Sequence, residues 1–222
     1  MNAEARQRWR VTFRRSSAAA AIAARELQAT IEANLEQANV PLSGRTQLAA
    51  GLGAGIAAER ELIDIELTER WSIDRARSVF AAALPPGHEL VDCHDVWLGE
   101  PALAAQARGA IYRAELDERA PSPATLREAA SSLMASERIA RTRTKGGRPV
   151  EYDLRPLLSD VTIQSNGPPV VLGISVRIDP QLGTGRPEEV VAALAERCGV
   201  DGLEITALTR TRIVLANDPG ER

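Results

Sequence analysis

The order of strand-like and helix-like patterns repeats along this chain and constrains its fold more than any other feature. Residues 8–14 alternate apolar and polar side chains, which is the period of a half-buried strand. An alanine-rich segment with helical spacing follows, and we expect Ser16 or Ser17 to cap it. The first half then continues with a glycine-rich strand of irregular pattern, a strand with clear alternation, a second helix and a last strand. This order is that of a ferredoxin-like unit.

The second half repeats the order with additional strands. Ser122-Pro123 opens a helix, Gly146-Gly147 marks a hairpin, and Pro187 opens a last helix. We therefore predict an α+β protein made of two tandem ferredoxin-like (βαββαβ) units with antiparallel sheets. The predicted divisions are an N-terminal unit at 1–98, a joint at 99–109, a C-terminal unit with extra strands at 110–216 and a tail at 217–222.

Each unit should bury a core of its own. In the first unit, the strand and helix periods bring together five apolar residues, which are Val11, Phe13, Ile63, Ile65 and Phe80. In the second unit, the same reasoning predicts a cluster of Val171, Ile174, Val190 and Leu194.

Composition indicates a cytoplasmic protein with no membrane partner. No apolar run approaches the roughly 20 residues that cross a bilayer, and the polar N-terminal segment has no apolar stretch of a signal peptide. Cys93 and Cys198 are the only cysteines among 222 residues, which is consistent with a reducing compartment. The net charge of −3 gives no global attraction to nucleic acid but leaves room for a local basic patch.

Residues with catalytic or metal-binding potential are few. In Asp92-Cys93-His94-Asp95, alternation along a strand turns Cys93 and Asp95 away from Asp92 and His94, so the four cannot converge on one ion. No serine or cysteine stands in a recognisable nucleophile motif beside a histidine. The sequence therefore favours a non-catalytic protein without a metal or another cofactor.

A basic hairpin is the feature that most directly indicates binding. Arg141, Arg143 and Lys145 recur at period two, so on a strand they share one face, and Gly146 follows in the turn. Guanidinium groups bind phosphates and carboxylates in a bidentate way, and this favours a polyanion such as RNA. A charged edge strand that prevents aggregation is the other interpretation, and both stay open.

Asp153 and Arg155 form the second candidate site. Arg155 could hold a carboxylate while Asp153 acts as a base, which would make the protein a small-molecule enzyme or a metabolite-sensing domain. At positions i and i+2 of a strand the two side chains share a face, so a structural salt bridge is the competing interpretation.

Several motifs resemble those of the radical-SAM-associated domain-of-unknown-function family. They are R-x-R-x-T-F at 8–13, G-x-x-x-E-R-E-L-I-D-I-E-L at 55–67, R-T-x-T-K-G-G-R-P-V-E-Y-D-L-R-P at 141–156, R-P-E-E-V at 186–190 and T-R-T-R at 209–212. The second-half matches include the six residues Arg143, Lys145, Gly146, Asp153, Arg155 and Pro156. Two histidine-bearing segments of the family are absent, because residues 20–23 and 43–46 contain no histidine.

The resemblance implies a partner and a role. Members of that family are commonly fused to, or encoded beside, a radical SAM protein, often near a ribonuclease gene. The chain has no cysteine motif for an iron–sulfur cluster, so it is not itself a radical SAM enzyme. The leading hypothesis is an accessory module that docks on a radical SAM protein and presents RNA or associates with an RNA-processing protein.

Overall fold

The protein has a mixed α+β architecture. The computed structural model describes residues 4–145, 147–165 and 167–218, and the side chains of 144 and 145 lie outside the described part. Five α-helices occur there: α1 (Ala24–Gln37), α2 (Ile73–Ala83), α3 (Leu103–Gln106), α4 (Pro123–Met134) and α5 (Pro187–Cys198). The strands are β1 (Gln7–Arg15), β2 (Gln47–Leu48), β3 (Ala57–Leu67), β4 (His88–Val96), β5 (Ala107–Leu116), β6 (Ala140–Lys145), β7 (Arg148–Asp153), β8 (Leu158–Ile163), β9 (Val171–Asp179), β10 (Gly183–Thr184) and β11 (Ile205–Leu215).

The chain divides into two compact units. The first contains Met1–Ala107 and Arg210–Arg222, and the second contains Arg108–Thr209. The break before residue 108 falls in the predicted joint, whereas residues 210–216, assigned from sequence to the second half, group with the first. Strand β11 (Ile205–Leu215) contains this second boundary.

The first unit places an apolar core on one face of its sheet. Strand β1 lies between β3 and β4, and both pairings are antiparallel, while β2 pairs with the other edge of β3. Val11, Phe13, Ile63, Ile65 and Phe80 are buried in one cluster, as predicted. The α1 residues Leu27, Ile31 and Leu35 belong to the same cluster, so the long first helix covers this face.

Helix α1 begins at Ala24 and not at the predicted Ser16 or Ser17. Residues Ser17–Ala19 form a single 3₁₀ turn instead. The backbone that follows it bonds to a distant loop, because the Ala20 carbonyl accepts from the Gly55 amide at 2.7 Å. An α-helix needs those carbonyls for its own ladder, so it starts only after them.

The glycine-rich segment predicted as a loose strand is mostly an ordered loop. Only Gln47–Leu48 pairs with β3 in this segment. Buried Arg15 donates to the Gly53 carbonyl at 2.7 Å and to the Ile56 carbonyl through Nε at 3.0 Å. Carbonyls that a sheet would have satisfied are satisfied here by a guanidinium group.

In the second unit, β9 lies between β5 and β8, and both pairings are antiparallel. The sequence predicted additional strands without locating β8 or the short β10, which also pairs with β9. Ile174, Val190 and Leu194 are fully buried as expected, and Val171 is half-buried. The β6–β7 hairpin forms a separate two-stranded sheet.

His88 should make stability depend on pH. The side chain is buried beside Phe13, its Nδ1 lies 3.3 Å from the Pro86 carbonyl oxygen, and burial lowers its pKa. The unfolded chain therefore binds a proton that the folded chain resists, and the free energy of unfolding should fall as pH drops below about 6.5. Urea unfolding between pH 7.5 and pH 5 should show a smaller loss for His88→Gln than for the wild type.

The matched control for this experiment is His94→Gln, an exposed histidine on the same strand. An unchanged pH profile for His88→Gln, or an equal change for both variants, would contradict the assignment.

Candidate functional site

The basic hairpin is present, and its arginines share one face. In the β6–β7 register Arg141 lies opposite Tyr152, and Arg143 lies opposite Val150. The Arg143 guanidinium carbon lies 5.0 Å from the centroid of the Tyr152 ring, so the two side chains meet on that face. Gly146 and the Lys145 side chain lie outside the described residues.

That face is not the exposed basic surface that RNA binding through Arg141 requires. The Arg141 side chain is only 10% exposed and forms an ion pair with Glu196 of α5. Its Nε lies 3.8 Å from a carboxylate oxygen of Glu189 on the same helix. Helix α5 therefore places two glutamates against Arg141.

Several donors on this face remain unsatisfied. Within the described residues, Nε and Nη2 of Arg141 and Nε of Arg143 are buried without a hydrogen-bond partner. Burial raises the pKa of Tyr152, and the charge of Glu189 adds to the effect. The face thus combines cationic donors with nearby carboxylates and is partly neutralised.

Asp153 and Arg155 are both engaged with backbone groups. Asp153 Oδ1 accepts from the Ile139 amide at 2.8 Å and from the Arg155 amide at 3.0 Å. The Arg155 guanidinium donates to the carbonyls of Ser136 and Leu158, each at 3.1 Å. These bonds fix the turn after β7 and leave neither side chain positioned as a catalytic base or a carboxylate clamp.

A polar cavity in the first unit was not predicted. Its volume is about 320 Å³, and it lies on the polar side of the β1 and β3 strands. The side chains that line it include three arginines, a histidine and three acids, together with Thr12, Leu62, Gln106, Ile213, Leu215 and Asn217. The charged members are Arg10, Arg60, Arg212, His94, Asp92, Glu100 and Asp218.

Three sequence motifs meet in this cavity. Arg10 and Thr12 come from R-x-R-x-T-F on β1, Arg60 and Leu62 from E-R-E-L on β3, and Arg212 from T-R-T-R on β11. In the sequence, the period-two alternation of β1 separates polar from apolar residues, and this pattern is the one signal that indicates a polar face on the strand. The proximity of three distant segments was not visible in the sequence.

Arg10 is the most tightly positioned group of the cavity. It is 6% exposed, and its Nε and Nη2 donate to the two carboxylate oxygens of Asp64 at 2.8 and 3.0 Å. Burial opposes the charge, but the bonds to Asp64 outweigh it and raise the Arg10 pKa. In the described part of the chain the side-chain hydrogen bonds of Arg10 use only Nε and Nη2, so the N–H groups of Nη1 are left for a ligand.

The other two arginines are less constrained. Arg212 is half-exposed and donates to Asp218 at 2.8 Å. Arg60 is exposed, and among the described residues its side chain has no ion-pair partner. A ligand with an anionic group and hydrogen-bond donors of its own would match the arginines and the carboxylates together.

The acidic and histidine side chains on the His94 side of the cavity are occupied by other contacts. Asp92 lies 3.7 Å from His94 and 3.5 Å from Arg77, so its charge is already balanced. Cys93 points into the core, where burial raises its pKa to about 12. Within 4–145, 147–165 and 167–218, no group of three or more His, Cys, Asp or Glu side chains is arranged to hold a metal ion.

The family of the chain is shown by its sequence. Residues 8–191 match the family described as "Uncharacterized protein conserved in bacteria (DUF2344)". The chain belongs to this family. That description names no radical SAM protein or other partner, so such a partner stays a prediction. No curated protein matches the chain.

Solved structures share the fold of this DUF2344 protein at low sequence identity. A chain of "Crystal Structure of a Cbf5-Nop10-Gar1 Complex" aligns with a TM-score of 0.55 at 11% identity over 92% of this chain and 48% of that one. A chain of "Crystal structure of the archaeal box H/ACA sRNP Nop10-Cbf5 complex" aligns with a TM-score of 0.50 at 12% identity over 92% and 47%. The DUF2344 chain thus spans about half the length of the solved chains it matches.

No described helix is long and apolar enough to cross a membrane.

Replacing Arg141 should cost stability, because the residue is held against α5. We expect Arg141→Ala to lower the free energy of unfolding by about 1 kcal/mol, a value reduced by the solvent exposure of Glu196. Arg148→Ala, on the exposed end of the same hairpin, should change it by less than about 0.5 kcal/mol. Chemical denaturation of both variants measures the difference, and equal effects would restore the interpretation of a solvated edge strand.

Proposed function

We propose that this DUF2344 protein is a non-catalytic accessory module that binds RNA, with the polar cavity of the first unit as the primary contact. The observation that carries the proposal is Arg10, a buried guanidinium whose Nη1 has no acceptor among the described residues, in a cavity of about 320 Å³. A phosphate oxygen that accepts from the Arg10 guanidinium would bind a side chain that Asp64 already holds in one orientation. Binding therefore costs little side-chain entropy.

The mixed charge of the cavity favours a nucleotide over a bare anion. Arg60 and Arg212 suit a phosphodiester, whereas Asp92 and Glu100 suit the amino groups of a base or a ribose hydroxyl. The similarity in fold to a chain of an archaeal sRNP complex also supports a role in RNA binding.

The order of the strands supports a sheet face that is available for the cavity. The strand orders β2-β3-β1-β4 and β8-β9-β5-β11 support ferredoxin-like arrangements. We propose two ferredoxin-like units on this basis. In the first, helices cover one sheet face and the other face is left for the cavity.

The hairpin has a secondary role in this proposal. Arg143 and Lys145 remain candidate phosphate contacts together with Gly146, whereas Arg141 is occupied by α5. The alternative function, a small-molecule enzyme or sensing domain built on Asp153 and Arg155, is disfavoured because both side chains bind backbone groups.

Removing the two accessible cavity arginines should weaken RNA binding in a salt-dependent way. Each phosphate contact with a single strand contributes about 0.7 to the slope of log affinity against log salt. The double variant Arg60→Ala, Arg212→Ala should therefore lower the magnitude of the slope by roughly 1.4. Fluorescence anisotropy of a labelled single-stranded oligonucleotide, at salt concentrations from about 25 to about 200 mM, measures this slope.

The matched control is Arg25→Ala, which removes an exposed arginine from α1 on the helical side. Absence of binding at low salt, or equal slopes for the cavity variant and the control, would contradict the proposed function. An added Arg143→Ala, Lys145→Ala variant shows whether the hairpin extends the contact.

Docking on a radical SAM protein is the second part of the proposal and is supported by the motif resemblance alone. Affinity purification of the tagged protein from its native host should enrich a radical SAM or RNA-processing protein over an untagged control. If neither class is enriched, the accessory role toward such a partner is wrong, while RNA binding is judged separately by the oligonucleotide assay.

A further inference from the structure

Trp97 is the most exposed large hydrophobic side chain of the described residues. It is 75% exposed, whereas Trp9 and Trp71 are 3% and 7% exposed in the core. Aromatic residues make up only 3% of the chain, so an exposed indole is not a by-product of composition. Leaving so large an apolar surface in water is unfavourable unless another molecule covers it.

One side of the indole ring packs against Gly99. A methyl-sized atom on Gly99 would lie 2.4 Å from Cζ2 and 2.8 Å from Cε2 of Trp97. The ring therefore packs closely over the Gly99 backbone in this arrangement. The rest of the ring is open to solvent.

The turn that carries Trp97 is part of the cavity wall. The Glu100 amide donates to the Trp97 carbonyl at 3.0 Å, and Glu100 lines the cavity. Arg8 fixes this turn to β1, because its Nη1 donates to the Glu100 carbonyl at 3.0 Å while its Nε donates to Glu66 at 2.8 Å. His94, three residues before Trp97, also lines the cavity.

We infer that Trp97 is the base-stacking residue of the RNA site, so that a nucleobase lies on the open side of the indole while the adjoining phosphates bind the cavity arginines. This inference rests on the proposed function. Every base has a π face, so stacking on Trp97 supplies affinity without sequence selection. With a single exposed ring, the contact is limited to one base of a short single-stranded segment.

A nucleobase fits these observations better than a protein partner. The neighbouring Leu98 is only 37% exposed, so the apolar surface is essentially one ring. Protein interfaces bury far larger areas around an aromatic anchor. The charged cavity whose wall includes Glu100 of the same turn, with Arg60 exposed and unpaired among the described residues, complements a phosphodiester chain.

The test uses the full chain, a short oligouridylate and an abasic ribose-phosphate oligomer of equal length. Oligouridylate should quench the intrinsic fluorescence of the wild type, because Trp97 is its accessible tryptophan, and the abasic oligomer should not. By anisotropy, Trp97→Ala should bind oligouridylate about 10-fold more weakly and should leave affinity for the abasic oligomer unchanged. Trp97→Phe keeps an aromatic face and should stay within about 3-fold of the wild type.

The outcomes separate this inference from the proposed function. If oligouridylate binding depends on Arg60 and Arg212 but Trp97→Ala leaves it unchanged, the stacking role is wrong and the cavity proposal stands. Loss of a copurifying protein in Trp97→Ala would then identify the ring as a protein-docking residue. If quenching and the 10-fold effect persist while the arginine variants behave like Arg25→Ala, stacking is correct and the cavity assignment is wrong. No binding of either oligomer overturns both.

Discussion

Two buried guanidinium groups hold the first unit together where it has no secondary structure. Arg15 donates to the carbonyls of Ile22, Gly53 and Ile56, and Arg210 donates to those of Ala50 and Gly51. Arg210 also binds Glu61, and both side chains are almost completely buried. Burial lowers the pKa of Arg15, so the carbonyl oxygens, aided by the charge of Glu61, must compensate its desolvation.

The cavity depends on this arrangement. The loop that the two arginines hold runs into β3, and Arg60 precedes Glu61 on that strand. Arg212 follows Arg210 by two residues on β11, so the same anchor sets its position. Removing one partner of the Arg210–Glu61 pair would leave an uncompensated buried charge, which is far more costly than losing a surface pair. The positions of Arg60 and Arg212 in the cavity therefore depend on a structural ion pair.

Local sequence signals predicted most elements and failed where distant residues decided the outcome. Ser122 caps α4 as predicted, and Ser72 caps α2 in the same way, since each hydroxyl accepts from an amide three residues on. Helix α1 has no such cap and starts later than expected. Strand β8 escaped detection because an irregularity between Leu158 and Asp160 breaks its period of two. The alternation of β1 revealed a polar face, but no local pattern could bring β3 and β11 beside it.

The hairpin and the cavity show why a row of arginines is a weak functional signal by itself. Spacing shows that Arg141 and Arg143 share a face, but it cannot show which element that face meets. In the structure Arg141 meets helix α5, where Glu196 balances its charge. In the cavity, buried Arg10 is oriented by Asp64, whereas Arg60 is exposed. An exposed cation steers association and responds to salt, whereas a fixed, desolvated donor mainly slows dissociation. Arg60 is thus suited to capture of a polyanion, and Arg10 to its retention.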